Sequence, residues 1–162
     1  MTTLDLELAD PAATERAGAV IADWMRGRSG GVIFLSGTLG AGKTSIARGL
    51  LHALGVRGPI RSPSYTLVEP YECDGRTILH LDLYRLRDAD EFEGLGLRDF
   101  SPRHAWWLVE WPEHGEGHLP PPDLWLHLSV QAAGRHLRVE SGRPDFCDSL
   151  FSMLGERFVG KS

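Results

Sequence analysis

The 162-residue chain has only two cysteines, Cys73 and Cys147, far apart and in no CxxC or metal-type spacing. That scarcity argues against a disulfide-stapled scaffold or a thiolate metal site and predicts free thiols in a reducing compartment. Long apolar runs are missing too, and a stretch such as Val32-Ile33-Phe34-Leu35 is far too short to cross a bilayer, so no membrane partner is expected. Residues Met1 to Asp10 lack a basic start followed by an apolar segment, so no secretory signal is expected and the expected location is cytoplasmic. Positive charge is also not in excess. With a net charge of −5, the chain as a whole does not attract nucleic-acid phosphates, and a partner is expected to hold any nucleic acid involved. Repeats, low-complexity tracts and domain-scale linkers are absent, which predicts one α/β domain over residues 1–162.

What is present is the composition of an ordinary soluble domain, 42% hydrophobic and 24% charged. Leu4, Leu6 and Leu8 alternate with Asp5 and Glu7, the period of a half-buried strand. Asp10-Pro11 reads as an N-cap with proline at the first helical position, and Ala17, Val20, Ile21 and Trp24 fall on one helical face. Val32 to Leu35 suits a central strand covered on both sides. Lys43 to Leu54 is helical in spacing, with Gly55 as its stop. Further on, a hairpin is expected at Cys73-Asp74-Gly75-Arg76, with a strand over Thr77 to Leu83 and a short acidic helix over Asp88 to Leu95. Ala105 to Glu110 is a strongly apolar strand and Pro120-Pro121-Pro122 an exposed connector. Two further strands follow, the second over Arg135 to Glu140. Phe146, Leu150, Met153 and Leu154 outline a closing amphipathic helix.

Between the apolar run and the second helix, Gly37-Thr38-Leu39-Gly40-Ala41-Gly42-Lys43-Thr44 fits G-x-x-x-x-G-K-[ST] without a mismatch. Triphosphate binding needs this arrangement for physical reasons. The glycines let the backbone turn tightly enough to aim several N–H groups at phosphate oxygens, and the following helix adds its positive end. Lys43 can then reach the β- and γ-phosphates while the Thr44 hydroxyl ligates Mg²⁺. A nucleotide is expected against Gly37, Leu39, Gly40, Ala41, Gly42, Lys43, Thr44 and Ser45. Chance would produce the bare pattern in fewer than roughly one chain of this length in a hundred, and the strand before it and helix after it are the context the motif requires.

Such a loop also needs a carboxylate at the end of a neighbouring strand. Asp82 ends Ile78-Leu79-His80-Leu81-Asp82, and Glu110 ends the more continuously apolar Trp106-Trp107-Leu108-Val109-Glu110. Glu110 is expected at the metal and Asp82 at the water or the γ-phosphate, although the two could be reversed. Ser62-Pro63-Ser64-Tyr65-Thr66 reads as a switch loop whose hydroxyls, on Ser62, Ser64 and Thr66, could meet the γ-phosphate or the metal. On pattern alone a polar turn is the favoured reading of that segment. His80 reads as a satisfied core histidine with no catalytic role, Trp106 and Trp107 as core, and the acidic run from Asp88 as a solvated helix face. His104, His114, His118, His127 and His136 have no metal spacing among them.

Taken together, Gly37 to Thr44, Ser62 to Val68, His80 to Leu86 (His-Leu-Asp-Leu-Tyr-Arg-Leu) and Leu108 to Trp111 (Leu-Val-Glu-Trp) resemble the TsaE family, formerly called YjeE. Glu91 to Asp99, Leu119 to Leu124 and Gly134-Arg135 extend the likeness, which runs from about Thr14 to Val139. The resemblance implies a P-loop NTPase-like three-layer α/β sandwich with a central mixed, mainly parallel sheet. It implies an ATPase, slow alone, that uses Mg²⁺ and works with the TsaB–TsaD pair in threonylcarbamoylation of adenosine 37 of tRNAs reading ANN codons. Contact with tRNA would come through that complex. By position, the likeness assigns Lys43 to the phosphates, Thr44 and Glu110 to Mg²⁺, and Asp82 to the family's essential strand-end aspartate. It also places Thr14, Trp111 and Arg135 near the nucleotide. This chain departs from the family pattern at two positions: Thr38 stands where an acid is usual, and Ser64 where threonine is usual.

Two other readings stay open on residues alone. One is a small-molecule kinase, against which stands the lack of an added lid or an arginine-rich acceptor segment. The other is a nucleotide-gated binding module with negligible turnover. No Asn-Lys-x-Asp run is present, so adenine is expected over guanine.

Overall fold

A computed structural model describes residues 2–158, with the side chains of residues 144–146 outside the description. Strand β1 (Thr2–Leu8) buries Leu6 and Leu8 and leaves Asp5 and Glu7 outward, as its alternation requires. Helix α1 (Pro11–Met25) starts where the Asp10 side chain accepts from the Ala13 N–H at 2.8 Å, satisfying a donor that the helix start leaves unpaired. Strand β2 (Gly31–Ser36) is buried over almost its whole length and leads through the glycine loop into α2 (Lys43–Ala53). A hairpin of β3 (Val68–Cys73) and β4 (Arg76–Asp82) follows. Its turn places Asp74 and Gly75 at φ 51° and 75°, the double left-handed turn that matches strand twist.

After β4 the expected acidic helix is shorter than its pattern suggested. Helix α3 covers Ala89–Glu93 and a 3₁₀ turn covers Leu97–Asp99, because Gly94 ends the helix and Gly96 takes φ 70°. Strand β5 (Ala105–Glu110), a 3₁₀ turn over Pro112–Gly115, β6 (Leu124–Val130), β7 (Arg135–Ser141) and α4 (Pro144–Phe158) complete the order. Leu150 and Leu154 of α4 are buried as its periodicity predicts; the side chain of Phe146 lies outside the described residues. Among the described residues no helix is long and apolar enough to cross a membrane.

The seven strands form one sheet in the order β1-β7-β6-β2-β5-β4-β3. Its four central strands, β6, β2, β5 and β4, run parallel, while β7 on β6, β1 on β7 and β3 on β4 are antiparallel. Helices α1, α2 and α4 cover one face over Ile33, Leu35, Trp106 and Leu108. Phe92 and Leu97 close the other over Phe34, Leu81, Trp107 and Val109. Trp106 and Trp107 are thus core residues on opposite faces. The resulting sandwich has a thick helical layer, a mixed sheet and a thinner third layer, in keeping with the resemblance.

Helices α1 and α2 approach closely because two glycines face the contact. A Cβ at Gly49 would lie 2.1 Å from the Glu15 carbonyl oxygen, and one at Gly18 would lie 2.3 Å from that of Ile46. Both obstacles are backbone and cannot swing away. Gly49→Ala is therefore expected to lower stability by about 1–3 kcal/mol through overpacking. The roughly 1 kcal/mol that alanine normally adds to a helix works in the opposite direction. The measurement is the urea midpoint; an unchanged or raised midpoint would mean that the helices separate at no cost.

Candidate functional site

Three parallel strands deliver the site residues to one sheet edge. Strand β2 ends at the glycine loop, β4 at Asp82 and β5 at Glu110, and Asp82 and Glu110 are register partners. This is the carboxyl end of the parallel strands, where open α/β sheets place their ligand crevices.

The glycine loop has the backbone its motif predicts. Gly37, Gly40 and Gly42 take φ of 153°, 79° and 109°, and a Cβ at Gly37 would come within 2.6 Å of the Leu128 carbonyl oxygen on β6. Gly42 caps α2 in the left-handed conformation with no side-chain hydrogen bond. The first N–H groups of α2 therefore have no side-chain cap. Lys43 opens that helix and is buried. Its ammonium donates to the carbonyls of Gly37 at 2.5 Å and Thr38 at 2.8 Å, and it stands 4.4 Å above the centre of the Trp111 ring. Burial lowers the Lys43 pKa from its ordinary value, and the negative charges of Glu110, Asp82 and Glu113 oppose that shift.

The two carboxylates sit in a converging hydrogen-bond network. The Thr44 hydroxyl donates to Glu110 Oε1 at 3.2 Å. The Ser62 hydroxyl reaches both Asp82 Oδ2 and, at 3.2 Å, Glu110 Oε2, so a single hydrogen serves two acids. Tyr84 N–H donates to Asp82 Oδ1 at 3.0 Å, and the N–H of Asp82 donates to the carbonyl of Leu67 at 2.9 Å. Leu67 has φ 68°, a costly conformation for a residue with a Cβ and branched chain. It lies where the Ser62 segment turns back into β3.

Two clefts flank the glycine loop. The first, of about 280 Å³, is lined by Leu39, Lys43, Thr44, Ser45, Ser62, Ser64, Asp82, Tyr84, Glu110 and Trp111, among others. The second, of about 250 Å³, is lined by Asp10, Thr14, Gly42, Ser45, Gly134 and Arg135, among others. Arg135 ties the two sides together by donating to the carbonyls of Gly134 at 2.8 Å and Gly40 at 3.2 Å. Thr14 is buried against the loop, with its hydroxyl 3.4 Å from the Asp10 carbonyl. Of the loop positions, Gly40 and Gly42 line both clefts, whereas Gly37 and the fully buried Ala41 line neither. Ser62 and Ser64 line the first cleft; Thr66, the third hydroxyl of that segment, is exposed and lines neither. Among the described residues no three or more His, Cys, Asp or Glu side chains gather in a metal-holding group.

Two residues of this site were not anticipated. His80, read from its apolar strand as a satisfied core histidine, is fully buried, yet its Nε2 lies 2.6 Å from Glu110 Oε2 and its Nδ1 has no partner among the described residues. The signal available was the two-residue strand period, which puts His80 on the same sheet face as Asp82. Tyr84 also lines the first cleft, its ring 4.8 Å from that of Trp111. Trp111 takes φ 57° just past β5, with its N–H donating to Leu35 at 3.3 Å. That kink turns the indole toward Lys43.

A glycine loop between the central parallel strand and a helix, with strand-end acids beside its lysine and threonine, is the organisation of a P-loop α/β protein. The chain belongs to the TsaE family: the family described as "Threonylcarbamoyl adenosine biosynthesis protein TsaE" matches residues 8–138. It is similar to the Haemophilus influenzae protein named "tRNA threonylcarbamoyladenosine biosynthesis protein TsaE", 42% identical over 108 residues, which are 67% of this chain and 68% of that one. The Aquifex aeolicus protein of the same name is 39% identical over 72% of this chain and 80% of its own length. The crystal structure of YdiB from Bacillus subtilis superposes with a TM-score of 0.74 over 96% of both chains at 23% identity, which shows a shared fold.

Proposed function

We propose that the chain binds ATP and Mg²⁺ at the Gly37–Thr44 loop, hydrolyses the ATP, and supports a TsaB–TsaD pair in threonylcarbamoylation of tRNA adenosine 37 in the cytoplasm. The observation that carries this reading is the meeting of Lys43 and Thr44 with Asp82 and Glu110 in one cleft. The pathway comes from the family and from the names of the relatives. With a net charge of −5, the chain is suited to meet tRNA through its partners.

In this reading the glycine loop and the start of α2 hold the phosphates, and Lys43 leaves its own loop carbonyls for the phosphate oxygens. The Thr44 hydroxyl and the Glu110 carboxylate are hard oxygen donors of the kind Mg²⁺ takes, and they would hold it together with nucleotide phosphates and water. When bound, the ion supplies neutralisation of charge at the β- and γ-phosphates. Asp82 orients the attacking water and accepts its proton, a role suited to a carboxylate already positioned by Ser62 and Tyr84. Thr14, Ser45 and Arg135 contact the nucleotide from the second cleft, and Trp111 covers Lys43. Ser62 and Ser64 act as the switch that registers whether the γ-phosphate is present.

The test is phosphate release from ATP with and without a purified TsaB–TsaD pair. Slow release alone and faster release with the pair is the expected result. Release that the pair leaves unchanged would remove the partner coupling. Phosphate arriving on an acceptor molecule instead of in water would replace the ATPase with a kinase.

A further inference from the structure

His80 is the one buried polar side chain of this region to which neither the motif nor the proposed reaction gives a role. It sits on β4 one pleat below Asp82 and is fully buried. Its Nε2 lies 2.6 Å from Glu110 Oε2. A carboxylate only accepts, so the ring carries its hydrogen on Nε2. Among the described residues its Nδ1 faces no partner, so the ring meets the site through Nε2 alone.

Glu110 has three side-chain donors around its two oxygens: Thr44 on Oε1, Ser62 and His80 on Oε2. They are not equivalent. Thr44 is a proposed metal ligand and would turn its oxygen to the ion. Ser62 belongs to the switch loop and shares its hydrogen with Asp82. His80 alone comes from inside the sheet, held by close packing, and keeps its grip whatever the loop does. A Glu side chain has three rotatable bonds; fixing Oε2 from below selects the rotamer that presents Oε1 at the Thr44 hydroxyl.

We infer that His80 is a positioning residue that holds Glu110 ready for a divalent cation. This rests on the proposed Mg²⁺·ATP reading of the site. Partners of metal-ligating side chains typically change metal affinity by about 10- to 100-fold when removed. The test uses a fluorescent ATP analogue whose binding to the full chain is titrated with Mg²⁺ and measured separately in EDTA, with melting temperatures taken alongside. His80→Leu and His80→Asn, whose amide is too short to reach Oε2, are expected to raise the Mg²⁺ needed for half-maximal binding by about 10- to 100-fold. Binding in EDTA should stay near wild type. His80→Gln, whose amide nitrogen can occupy the place of Nε2, is expected to restore the Mg²⁺ requirement while melting like His80→Asn.

The inference is overturned if His80→Asn and His80→Leu keep the wild-type Mg²⁺ requirement while Glu110→Gln raises it. It is equally overturned if His80→Gln behaves like His80→Asn. The Asn and Gln pair decides the matter even where His80→Leu does not fold. If Mg²⁺ has no effect on binding to the wild-type chain, or Glu110→Gln leaves that effect unchanged, the metal reading of Glu110 fails first and the inference about His80 falls with it.

Discussion

Lys43→Ala is expected to reduce ATP hydrolysis by at least about 10²–10³-fold, the cost of removing one positioned charge from a developing transition state. The physical case rests on placement. The ammonium is buried in the mouth of the glycine loop, over the Trp111 ring, with three acids raising its pKa against the effect of burial. A cation so placed is already desolvated, and on this reading it exchanges the Gly37 and Thr38 carbonyls for phosphate oxygens. Lys43→Arg should not rescue the loss. The loop grips a compact Nζ with the carbonyls of Gly37 and Thr38, and a planar guanidinium does not fit between them. Phosphate release, with circular dichroism to confirm folding, provides the measurement. A folded Lys43→Ala variant that hydrolyses ATP at the wild-type rate would end the proposal that this loop is the hydrolytic site.

Asp82→Asn is expected to lower kcat by about 10²–10⁴-fold, the usual contribution of a positioned general base, while nucleotide affinity changes little. Asparagine keeps the shape of the side chain, and its one carbonyl oxygen can still accept from Tyr84 N–H, while its amide nitrogen takes the place of the oxygen that accepts from Ser62. It loses the charge, the capacity to take a proton and the acceptor for the Ser62 hydroxyl. Glu110→Gln should give a different signature, in which a raised Mg²⁺ requirement accompanies the lost rate. The contrast separates two carboxylates that are register partners and share the Ser62 hydroxyl. Steady-state kinetics over a range of Mg²⁺ concentrations reads both variants. If the two patterns are exchanged, with Asp82→Asn shifting the Mg²⁺ requirement, then Asp82 is the metal ligand and Glu110 serves the water.

Thr38 is exposed, and its carbonyl oxygen accepts from the Lys43 ammonium. Any side chain at this position leaves that carbonyl in place, so the grip of the loop on Lys43 does not depend on which residue stands here.

Contiguous features were legible in the residues alone. The glycine loop, the strand before it and the helix after it lie within a few residues of one another, and each follows from local chemistry: φ freedom, apolar continuity and 3.6-residue spacing. The acids ending β4 and β5 were also legible, because strands of this kind announce their ends. Which acid touches which hydroxyl was not. Thr44 and Glu110 are 66 positions apart, Ser62 and Glu110 48, and His80 and Glu110 30. Their meeting depends on parallel pairing of β4 with β5 and on the turn at Leu67, neither of which any local period encodes. Thr66 shows the same limit: its hydroxyl fits the pattern of the switch loop, but the path of the chain turns it out to solvent.

By itself, then, the order of residues determined the glycine loop, the strand-end carboxylates and the family, because each depends on short-range backbone conformation or on a contiguous motif. Only the tertiary structure decided that His80 and Ser62 share one carboxylate, that Tyr84 joins Trp111 at the cleft, and that Arg135 reaches back to Gly40. Those contacts are set by strand register and by the packing of α2 on the sheet, which bring side chains from distant segments within hydrogen-bonding distance.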